Sequence, residues 1–462
     1  MLPERLKEIV GPGGWTTDPA VLAPHLEEWR RSVYGKTLIM VMPKSTAEVS
    51  AVVRACAEAR TAVVPQGGNT GMCAGAVPDA SGRQVLLSMS RMNRIRAIDP
   101  ENFSMAVDAG CLLASVQEAA QSVDRYFPLS LGAEGSCQIG GNLATNAGGL
   151  NVIRYGTARS LVLGLEVVLA DGSVLDGMRG LRKDTAGYDL KQLFIGSEGT
   201  LGIITGAVLR LFPDPGDRAT ALVGLARSGD AVALLARLRA SLGDRIEAFE
   251  LVSQRVFELV ETHIPGAKLP FAEPHPWYAL VEIATDGDPG RLETALLDAA
   301  TAGTIADAVM AKNAAEAAAF WRMRHSIADA ERKDGKALKH DISVPLSELE
   351  TFLERAERRV ADAMAAARLV VFGHVGDGNL HYNVVLPRDL PDHEWAAAGA
   401  AVTSAIYDLV DELGGSFSAE HGIGVLKKAY LATYRGGVQY ALMQRLKQTL
   451  DPDNILNPGK VI

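Results

Sequence analysis

Three stretches rich in glycine constrain this chain more than any other feature of its sequence. They are residues 65–71 (PQGGNTG), 135–149 (GSCQIGGNLATNAGG) and 196–205 (GSEGTLGIIT). Glycines allow close backbone approach and let successive N–H groups point into one concavity, which holds a phosphate or lies against a planar ring. None of the three is a P-loop or a GxGxxG fingerprint. One such loop is usually an ordinary turn, but three of them together favour a ligand site built from backbone.

Bulk properties exclude several classes of protein. A chain of 462 residues exceeds what one core normally serves, so we expect two or three packed units. The formal charge of −9, with dispersed Lys and Arg, argues against a nucleic-acid partner. No apolar run reaches membrane-spanning length, and the N-terminus lacks the layout of a signal peptide, so we predict no membrane span and a cytoplasmic location. The four cysteines are far apart, which predicts reduced, mostly buried thiols.

The order of apolar runs, helical patterns and breakers predicts the domain organisation. Strand-like and helix-like segments alternate before the breaker cluster at residues 213–216, where we place a boundary. Beyond it, helices alternate with strands that read as one antiparallel sheet. The predicted division is 1–213 for a first domain, 214–415 for a second, and 416–462 for a C-terminal segment that completes the active site.

The segment 372–384 (FGHVGDGNLHYNV) predicts a pair of metal-binding histidines. Asp377-Gly378 is a favoured two-residue hairpin turn, and folding about it makes His374 and His381 cross-strand partners. Directly opposed residues have Cβ atoms about 5 Å apart, so two imidazoles could share one ion. Asn383 shares that face of the strand. The alternative is that both histidines are satisfied core groups.

Other charged groups stand in segments that suit a substrate site. Glu420 and His421 lie in SAEHGIG (418–424), where flanking glycines let backbone crowd a ligand. A substrate carboxylate needs a cation, ideally an Arg fork. The segments WRMRH (321–325) and ALKHDI (337–342) supply Arg324 and Lys339. The alternative is that Arg322 and Arg324 lie on a solvated helix face.

Taken together, these motifs resemble the FAD-binding family that contains vanillyl-alcohol oxidase and p-cresol methylhydroxylase, over nearly the whole chain. Within it, the chain looks most like the branch of D-lactate, glycolate and D-2-hydroxyglutarate dehydrogenases. The resemblance implies an α+β fold: a two-subdomain FAD-binding domain of the p-cresol methylhydroxylase type and an α/β substrate (cap) domain with an antiparallel sheet. The C-terminal segment would return to the FAD domain.

The resemblance also implies where FAD binds. The first stretch would hold the pyrophosphate, and the other residues would line the rest of the cofactor. The implied residues are Pro65, Gly67, Gly68, Asn69, Thr70, Gly71, Pro128, Leu129, Gly135, Gly140, Gly141, Asn142, Asn146, Gly148, Gly149, Glu198, Gly202, Ile203 and Asn457. No histidine lies between His25 and His263, so the first two stretches offer no tether and we predict non-covalent FAD.

The branch supplies a third metal ligand and an active-site histidine at positions that match Glu420 and His421. Two imidazoles and one carboxylate with an open position match a catalytic zinc site, although iron, manganese or cobalt can be held the same way. The branch's carboxylate-binding Arg and Lys match Arg324 and Lys339. We predict four catalytic residues, which are Arg324, Lys339, His421 and Asn383.

The implied reaction is the metal-assisted oxidation of a D-2-hydroxy acid of the D-2-hydroxyglutarate or D-malate type to the 2-oxo acid, by hydride transfer to flavin N5. Enzymes specific for D-2-hydroxyglutarate carry a hydroxyl residue where this chain has Ala328, so D-lactate or glycolate stays open as substrate. No iron–sulfur or nicotinamide motif is present, and the family suggests an electron-transfer flavoprotein or a quinone as acceptor. A homodimer is a family-level expectation.

Three other classes of protein compete with this interpretation. A flavin-dependent alkyl-dihydroxyacetone-phosphate synthase would need an apolar tunnel and membrane contact. A non-heme Fe(II) oxygenase would use two histidines and a carboxylate without the glycine stretches. A scaffold protein explains neither the glycines nor the histidines.

Overall fold

The computed structural model describes residues 1–462 and divides them into two compact units. The first unit contains Met1–Gly148, Gly156–Asp214 and Glu420–Ile462. The second contains Gly149–Tyr155 and Pro215–Ala419. The chain therefore leaves the first unit inside the predicted breaker cluster and returns to it immediately before Glu420.

The first unit is built on two main sheets and one short strand pair. The four-stranded sheet has the order Trp15–Thr16, Ile39–Val41, Val85–Ser88, Val63–Gln66, and its last three strands are parallel. The five-stranded antiparallel sheet has the order Ile95–Asp99, Ser104–Asp108, Ile203–Arg210, Val162–Val168, Val174–Gly177. Arg125–Tyr126 pairs with Phe212–Pro213.

Amphipathic helices cover these sheets. Thr46–Glu58 shows why they form: the Ser45 side chain caps the helix by accepting from the N–H of Glu48, and Val49, Val52 and Val53 are buried along one face. The α-helices of this unit are Leu2–Val10, Pro19–Leu22, Thr46–Glu58, Leu113–Gln121, Ile139–Ala144, Lys191–Phe194, Lys428–Tyr434 and Gly437–Leu450. Its 3-10 turns are Ala23–His25 and Ala158–Leu161.

The predicted return of the C-terminal segment to the first unit is confirmed. The N–H of Val63 donates to the carbonyl of Ile455 (2.7 Å), and the N–H of Asn457 donates to the carbonyl of Val63 (2.8 Å). These bonds pair the C-terminal segment with Val63–Gln66, the edge strand of the four-stranded sheet. They give the buried backbone groups of that strand the hydrogen-bond partners they need.

The second unit is organised by the predicted antiparallel sheet. Its strands follow the order Asp307–Met310, Arg218–Leu225, Trp277–Ala284, Ile246–Ser253, Arg368–Gly373, Asn379–Val385, Ala337–Leu338, and Asp341–Ser343 also pairs with Asn379–Val385. Apolar residues on the central strands form its core with flanking helices. The α-helices are Val152–Tyr155, Gly229–Leu242, Gln254–His263, Arg291–Thr301, Ala314–His325, Ile327–Asp334, Leu349–Ala363 and Asp392–Glu412, and the 3-10 turns are Gly243–Arg245, Leu346–Glu348 and Val375–Asp377.

The predicted hairpin register is wrong by two residues. The strands form, but His381 pairs with Phe372 and not with His374. The reason is a 3-10 turn: the N–H groups of Asp377 and Asn379 both donate to the carbonyl of His374 (3.1 and 3.3 Å). The connection is therefore longer than a two-residue loop, and Gly378, with φ of +82°, closes it.

The four cysteines are free and buried, as predicted. Burial raises the pKa of the Cys56 thiol to about 12, so it is protonated at neutral pH. No helix combines the length and apolar composition needed to cross a membrane.

Candidate active site

The first and second glycine stretches contact each other directly in the first unit. A Cβ at Gly68 would lie 2.0 Å from the carbonyl oxygen of Ser136, so no other residue fits there without moving the backbone. Asn69 adopts a φ of +54°, and its side-chain amide donates to the carbonyls of Pro24 and Glu27 (3.0 and 2.9 Å). The conformation of the first stretch is thus fixed by hydrogen bonds to an earlier segment of the chain, at Pro24 and Glu27.

Other glycines of these stretches border open space. A Cβ at Gly71, Gly135 or Gly141 would meet no atom within 4 Å. Two buried acceptors of the same unit, Gln138 Oε1 and Asn457 Oδ1, have no hydrogen-bond partner in the protein. Buried polar atoms are normally paired, so these oxygens suit N–H or O–H groups of a ligand such as the flavin ring or ribityl chain. The residues present therefore fit FAD.

The third glycine stretch is tied to two other parts of the first unit through Glu198. Its carboxylate accepts the N–H groups of Ile423 and Gly424 (2.7 and 2.8 Å). Burial raises the pKa of Glu198, and the two N–H donors oppose that rise. The side-chain amide of Asn457 donates to the carbonyls of Glu198 and Gly75 (2.8 and 2.9 Å). The segment after His421, the third stretch and the C-terminal tail are thereby joined.

Glu420 packs on the end of the second stretch. A Cβ at Gly148 would lie 2.7 Å from Glu420 Oε1, so a larger residue there would have to displace this carboxylate. Asn146, with φ of +50°, accepts the N–H of Arg159 through its side chain (3.0 Å).

Several predicted cofactor residues have packing roles inside the first unit. A Cβ at Gly140 would strike Ala109, and one at Gly202 would strike Val167 and Phe194. Close packing alone therefore accounts for both glycines.

His374 and His381 lie side by side in the second unit despite the changed register. Their ring centroids are 5.6 Å apart with planes at 80°, and each offers a nitrogen within 4.8 Å of the other's. His381 is also the cross-strand partner of Asp341, whose buried carboxylate lies within 4.8 Å of a His381 nitrogen. Asp341 accepts from the side chain of Asn379 (2.9 Å) and from the N–H of Ala419 (3.2 Å).

Glu250 was missed by the sequence analysis, and it binds two of the predicted site residues. Its carboxylate is fully buried and accepts from Arg324 Nε at 2.6 Å and from His374 Nδ1 at 2.5 Å. Burial acts to raise the pKa of Glu250, but the charges of Arg324 and His374 outweigh it and hold the pKa at about 2. Glu250 is therefore a buried carboxylate that stays ionised.

A second missed carboxylate, Glu331, joins another pair of predicted residues. Its Oε2 accepts from Lys339 Nζ and from Asn383 Nδ2, the latter at 3.2 Å. Glu331 is buried, whereas the Lys339 side chain keeps 21% of its surface exposed. The charge of Lys339 is thus already paired with Glu331, while part of its side chain stays exposed.

Arg324 is buried, so the alternative that it lies on a solvated helix face is wrong. Its guanidinium lies over the ring of Phe372, 4.8 Å from the centroid. Arg322 and Ala328 on the adjoining helices are exposed. The helical segment is divided at Ser326 into Ala314–His325 and Ile327–Asp334.

The strand that carries Glu250 held the one signal that could have revealed it. Residues 246–253 (IEAFELVS) form a central strand in which Glu247 and Glu250 stand among mostly apolar residues, and a buried acidic residue must have a partner. Glu331 gave no such signal, because it stands in a charged helix sequence.

Comparison with known proteins gives two family matches. Residues 37–177 match the family described as "FAD binding domain", and residues 214–461 match "FAD linked oxidases, C-terminal domain".

Similar sequences cover nearly the whole chain. It is 40% identical over 448 residues to D-2-hydroxyglutarate dehydrogenase of Xanthomonas citri pv. viticola, covering 96% of this chain and 93% of that protein. It is 39% identical over 458 residues to the mitochondrial D-2-hydroxyglutarate dehydrogenase of Bos taurus (98% and 82%). It is 34% identical over 475 residues to a putative mitochondrial D-lactate dehydrogenase of Schizosaccharomyces pombe (99% and 89%).

Solved structures support the fold. The chain superposes on p-cresol methylhydroxylase with a TM-score of 0.78 at 18% identity, covering 100% of this chain and 96% of that one. It superposes on alkyldihydroxyacetonephosphate synthase with a TM-score of 0.76 at 17% identity (99% and 84%). The predicted α+β fold of the p-cresol methylhydroxylase type is thereby confirmed.

Proposed function

Because this chain belongs to the FAD-linked oxidase family and is an FAD-dependent hydroxy-acid dehydrogenase, we propose that it oxidises a D-2-hydroxy acid of the D-2-hydroxyglutarate or D-malate type to the 2-oxo acid. Relatives named D-2-hydroxyglutarate dehydrogenase support this substrate class. The observation that carries the proposal is that Arg324, Lys339, His374 and Asn383 are held in pairs by two buried carboxylates of one unit.

The cations of that unit suit the carboxylates of a dicarboxylic substrate. Arg324 uses Nε for Glu250, so its terminal nitrogens can bind a carboxylate as a fork. Lys339 provides a second positive charge with a partly exposed side chain. Asn383, whose amide is oriented by Glu331, adds a neutral polar group. We assign carboxylate binding to Arg324 and Lys339 and a hydrogen bond to the substrate to Asn383.

Proton removal needs a base that is neutral near physiological pH. We assign it to His421, since an imidazole titrates in that range and can accept the proton of the substrate hydroxyl. FAD, when bound, supplies the acceptor for the hydride that leaves C2.

We also propose a divalent metal, zinc, with His374, His381 and Glu420 as ligands. Two imidazoles in reach of one ion support the site. Glu420 directly follows Ala419, whose N–H is bound to Asp341, the cross-strand partner of His381. The metal, when bound, supplies a Lewis acid that lowers the pKa of the substrate hydroxyl.

D-lactate or glycolate is the second candidate substrate. The D-lactate dehydrogenase relative and the alanine at position 328 favour it, because Ala328 cannot donate a hydrogen bond to a distal carboxylate. The likeness to alkyldihydroxyacetonephosphate synthase concerns the fold alone at 17% identity, and it adds nothing for that activity.

The remaining assignments rest on the family and on the sequence, which has no iron–sulfur or nicotinamide motif and no histidine between His25 and His263. We propose an electron-transfer flavoprotein or a quinone as the electron acceptor, non-covalent FAD, and a homodimer. The cytoplasmic location stays a prediction.

The experiment is a dye-reduction assay on the purified protein with D-2-hydroxyglutarate, D-malate, D-lactate, their L-forms and glycolate, each with and without chelator. A D-specific, chelator-sensitive rate on a dicarboxylic acid is the expected result. A rate on D-lactate or glycolate alone would favour the second candidate. A colourless protein, or equal rates after metal removal, would refute the flavin or the metal assignment respectively.

A matched variant tests the role of position 328. We expect Ala328→Thr to raise kcat/KM for D-2-hydroxyglutarate relative to D-lactate by roughly 2- to 10-fold, the value of one neutral hydrogen bond. An unchanged ratio would show that this helix does not contact the distal carboxylate.

A further inference from the structure

We propose that Glu250 is a positioning residue that fixes the tautomer of His374 and, with its other oxygen, the orientation of Arg324. This inference rests on the proposed function, since it takes His374 as a metal ligand and Arg324 as a carboxylate-binding group. Neither Glu250 nor any coupling between these two residues was expected from the sequence.

The geometry uses both oxygens of one carboxylate. Oε1 lies 2.5 Å from His374 Nδ1, and Oε2 lies 2.6 Å from Arg324 Nε. The Glu250 side chain has no exposed surface, and those of Arg324 and His374 are each 9% exposed. Short, buried, charge-assisted bonds of this kind allow little rotation of either partner.

The bond to Glu250 decides which nitrogen of His374 can hold a metal. Arg324 Nε can only donate, so Glu250 accepts on Oε2, and its Oε1, 2.5 Å from His374 Nδ1, is placed to accept the N–H of that ring nitrogen. Nε2 of the neutral ring then keeps its lone pair and is available as a ligand. A carboxylate behind a metal-binding imidazole also raises the basicity of the ring.

The bond to Arg324 restricts the guanidinium in a comparable way. Because Nε is the atom that donates to Glu250, the outer edge of the guanidinium, formed by the two terminal nitrogens, is not the edge that this carboxylate binds through Nε. The ring of Phe372 lies against that plane at 4.8 Å. One buried carboxylate therefore sets both the metal-ligand histidine and the carboxylate-binding arginine.

Replacing Glu250 by Gln separates these two effects. Gln offers one oxygen and one NH2 group, so only one of its two former donors can be satisfied as before. Arg Nε is always a donor, whereas His can exchange its tautomer. The amide oxygen should therefore face Arg324 and the NH2 should face His374, which puts the proton on Nε2 and removes the metal-binding lone pair.

The test is to strip metal from the full-length flavoprotein and titrate it with Zn²⁺ against a chromophoric chelator, for wild type and for Glu250→Gln. We expect the Zn²⁺ affinity of E250Q to fall by about 10- to 100-fold, the usual effect of losing such a partner. KM for the hydroxy acid in Zn²⁺-saturated enzyme should change less than the metal affinity. Flavin content and thermal unfolding are recorded for each protein.

Glu247→Gln is the matched control. Glu247 is a buried acid of the same strand and binds Arg154 and Tyr155, which have no assigned role in the site. E247Q should lose stability without losing Zn²⁺ affinity. If E247Q and E250Q lose equal affinity, the effect is structural and the inference is overturned.

A second variant covers the case in which E250Q does not fold. Arg324→Met leaves the bond from Glu250 to His374 in place, so it should keep Zn²⁺ affinity while KM rises. Loss of Zn²⁺ binding in R324M would overturn the inference. Wild-type protein that binds no Zn²⁺ and is insensitive to chelator would instead refute the metal part of the proposed function, so the two failures are distinguishable.

Discussion

Replacing Arg324 by Met tests whether this arginine binds substrate or only stabilises the fold. The change removes the guanidinium and leaves Glu250 fully buried with His374 as its remaining partner. Breaking a buried ion pair from one side costs about 3–5 kcal/mol, because the other charge is left uncompensated. The charges of Arg324 and His374 together hold the Glu250 pKa at about 2 against the effect of burial, and Arg324 is the larger of the two, so R324M removes the main group that offsets the buried charge.

The effect on activity has a separate origin. A fork to a substrate carboxylate consists of charge-assisted hydrogen bonds worth about 1.5–3 kcal/mol each, so we expect kcat/KM to fall by roughly 10- to 100-fold or more. Stability is measured by urea unfolding at pH 7, and kcat/KM by dye reduction with a saturating acceptor. Arg322→Met is the matched control, since Arg322 lies two residues earlier on the same helix and is exposed, so the change should alter stability by less than about 0.5 kcal/mol.

The double variant Arg324→Met with Glu250→Gln separates the two roles. It removes the uncompensated charge as well, so stability should recover relative to R324M while kcat/KM stays low. If R324M loses stability but keeps kcat/KM for every hydroxy acid in the panel, Arg324 is a structural ion-pair partner and the assigned substrate contact is wrong.

Three further predictions follow from particular contacts. Gly68→Ala should lower the ratio of bound flavin to protein, because its Cβ would lie 2.0 Å from the Ser136 carbonyl. Gly132→Ala, whose Cβ would meet no atom within 4 Å, is the control. Equal flavin content in both variants would contradict the role of the first stretch. The folded-state pKa of Glu250 is depressed, so its stabilising effect is complete above pH of about 4.5 and is lost as pH falls towards about 2. The difference in free energy of unfolding between wild type and Glu250→Gln, measured with urea, should therefore become smaller from pH 6 to pH 3. A constant difference would argue against an ionised Glu250. Dialysis against chelator should abolish most activity. Added Zn²⁺ should restore the activity of wild type but not of His374→Gln. Recovery of activity in that variant would show that His374 is not a metal ligand.

Local patterns in the sequence predicted the division of the chain, the second sheet and the histidine pair, whereas the family resemblance predicted the FAD-binding fold and most candidate residues. The glycine stretches, the breaker cluster at 213–216 and the alternating strands beyond it express preferences of the backbone and of side-chain burial that act over a few residues. The residues around Asp377-Gly378 also predicted a hairpin, which forms, although the predicted two-residue turn is replaced by a longer connection. Family resemblance then supplied roles for residues such as Glu420 that no spacing rule could assign.

Only the tertiary structure decided which groups pair with which. The register of the hairpin depends on a 3-10 turn at Val375–Asp377, and competing short turns differ too little in local preference for sequence to choose between them. Glu250 is separated from Arg324 by 74 residues and from His374 by 124, so their contacts exist only after the sheet has assembled. The sequence determined that a buried strand contains an acid. The packing of three distant segments determined that this acid orients the candidate site. The physical reason is that a buried charge is stable only beside groups that compensate it.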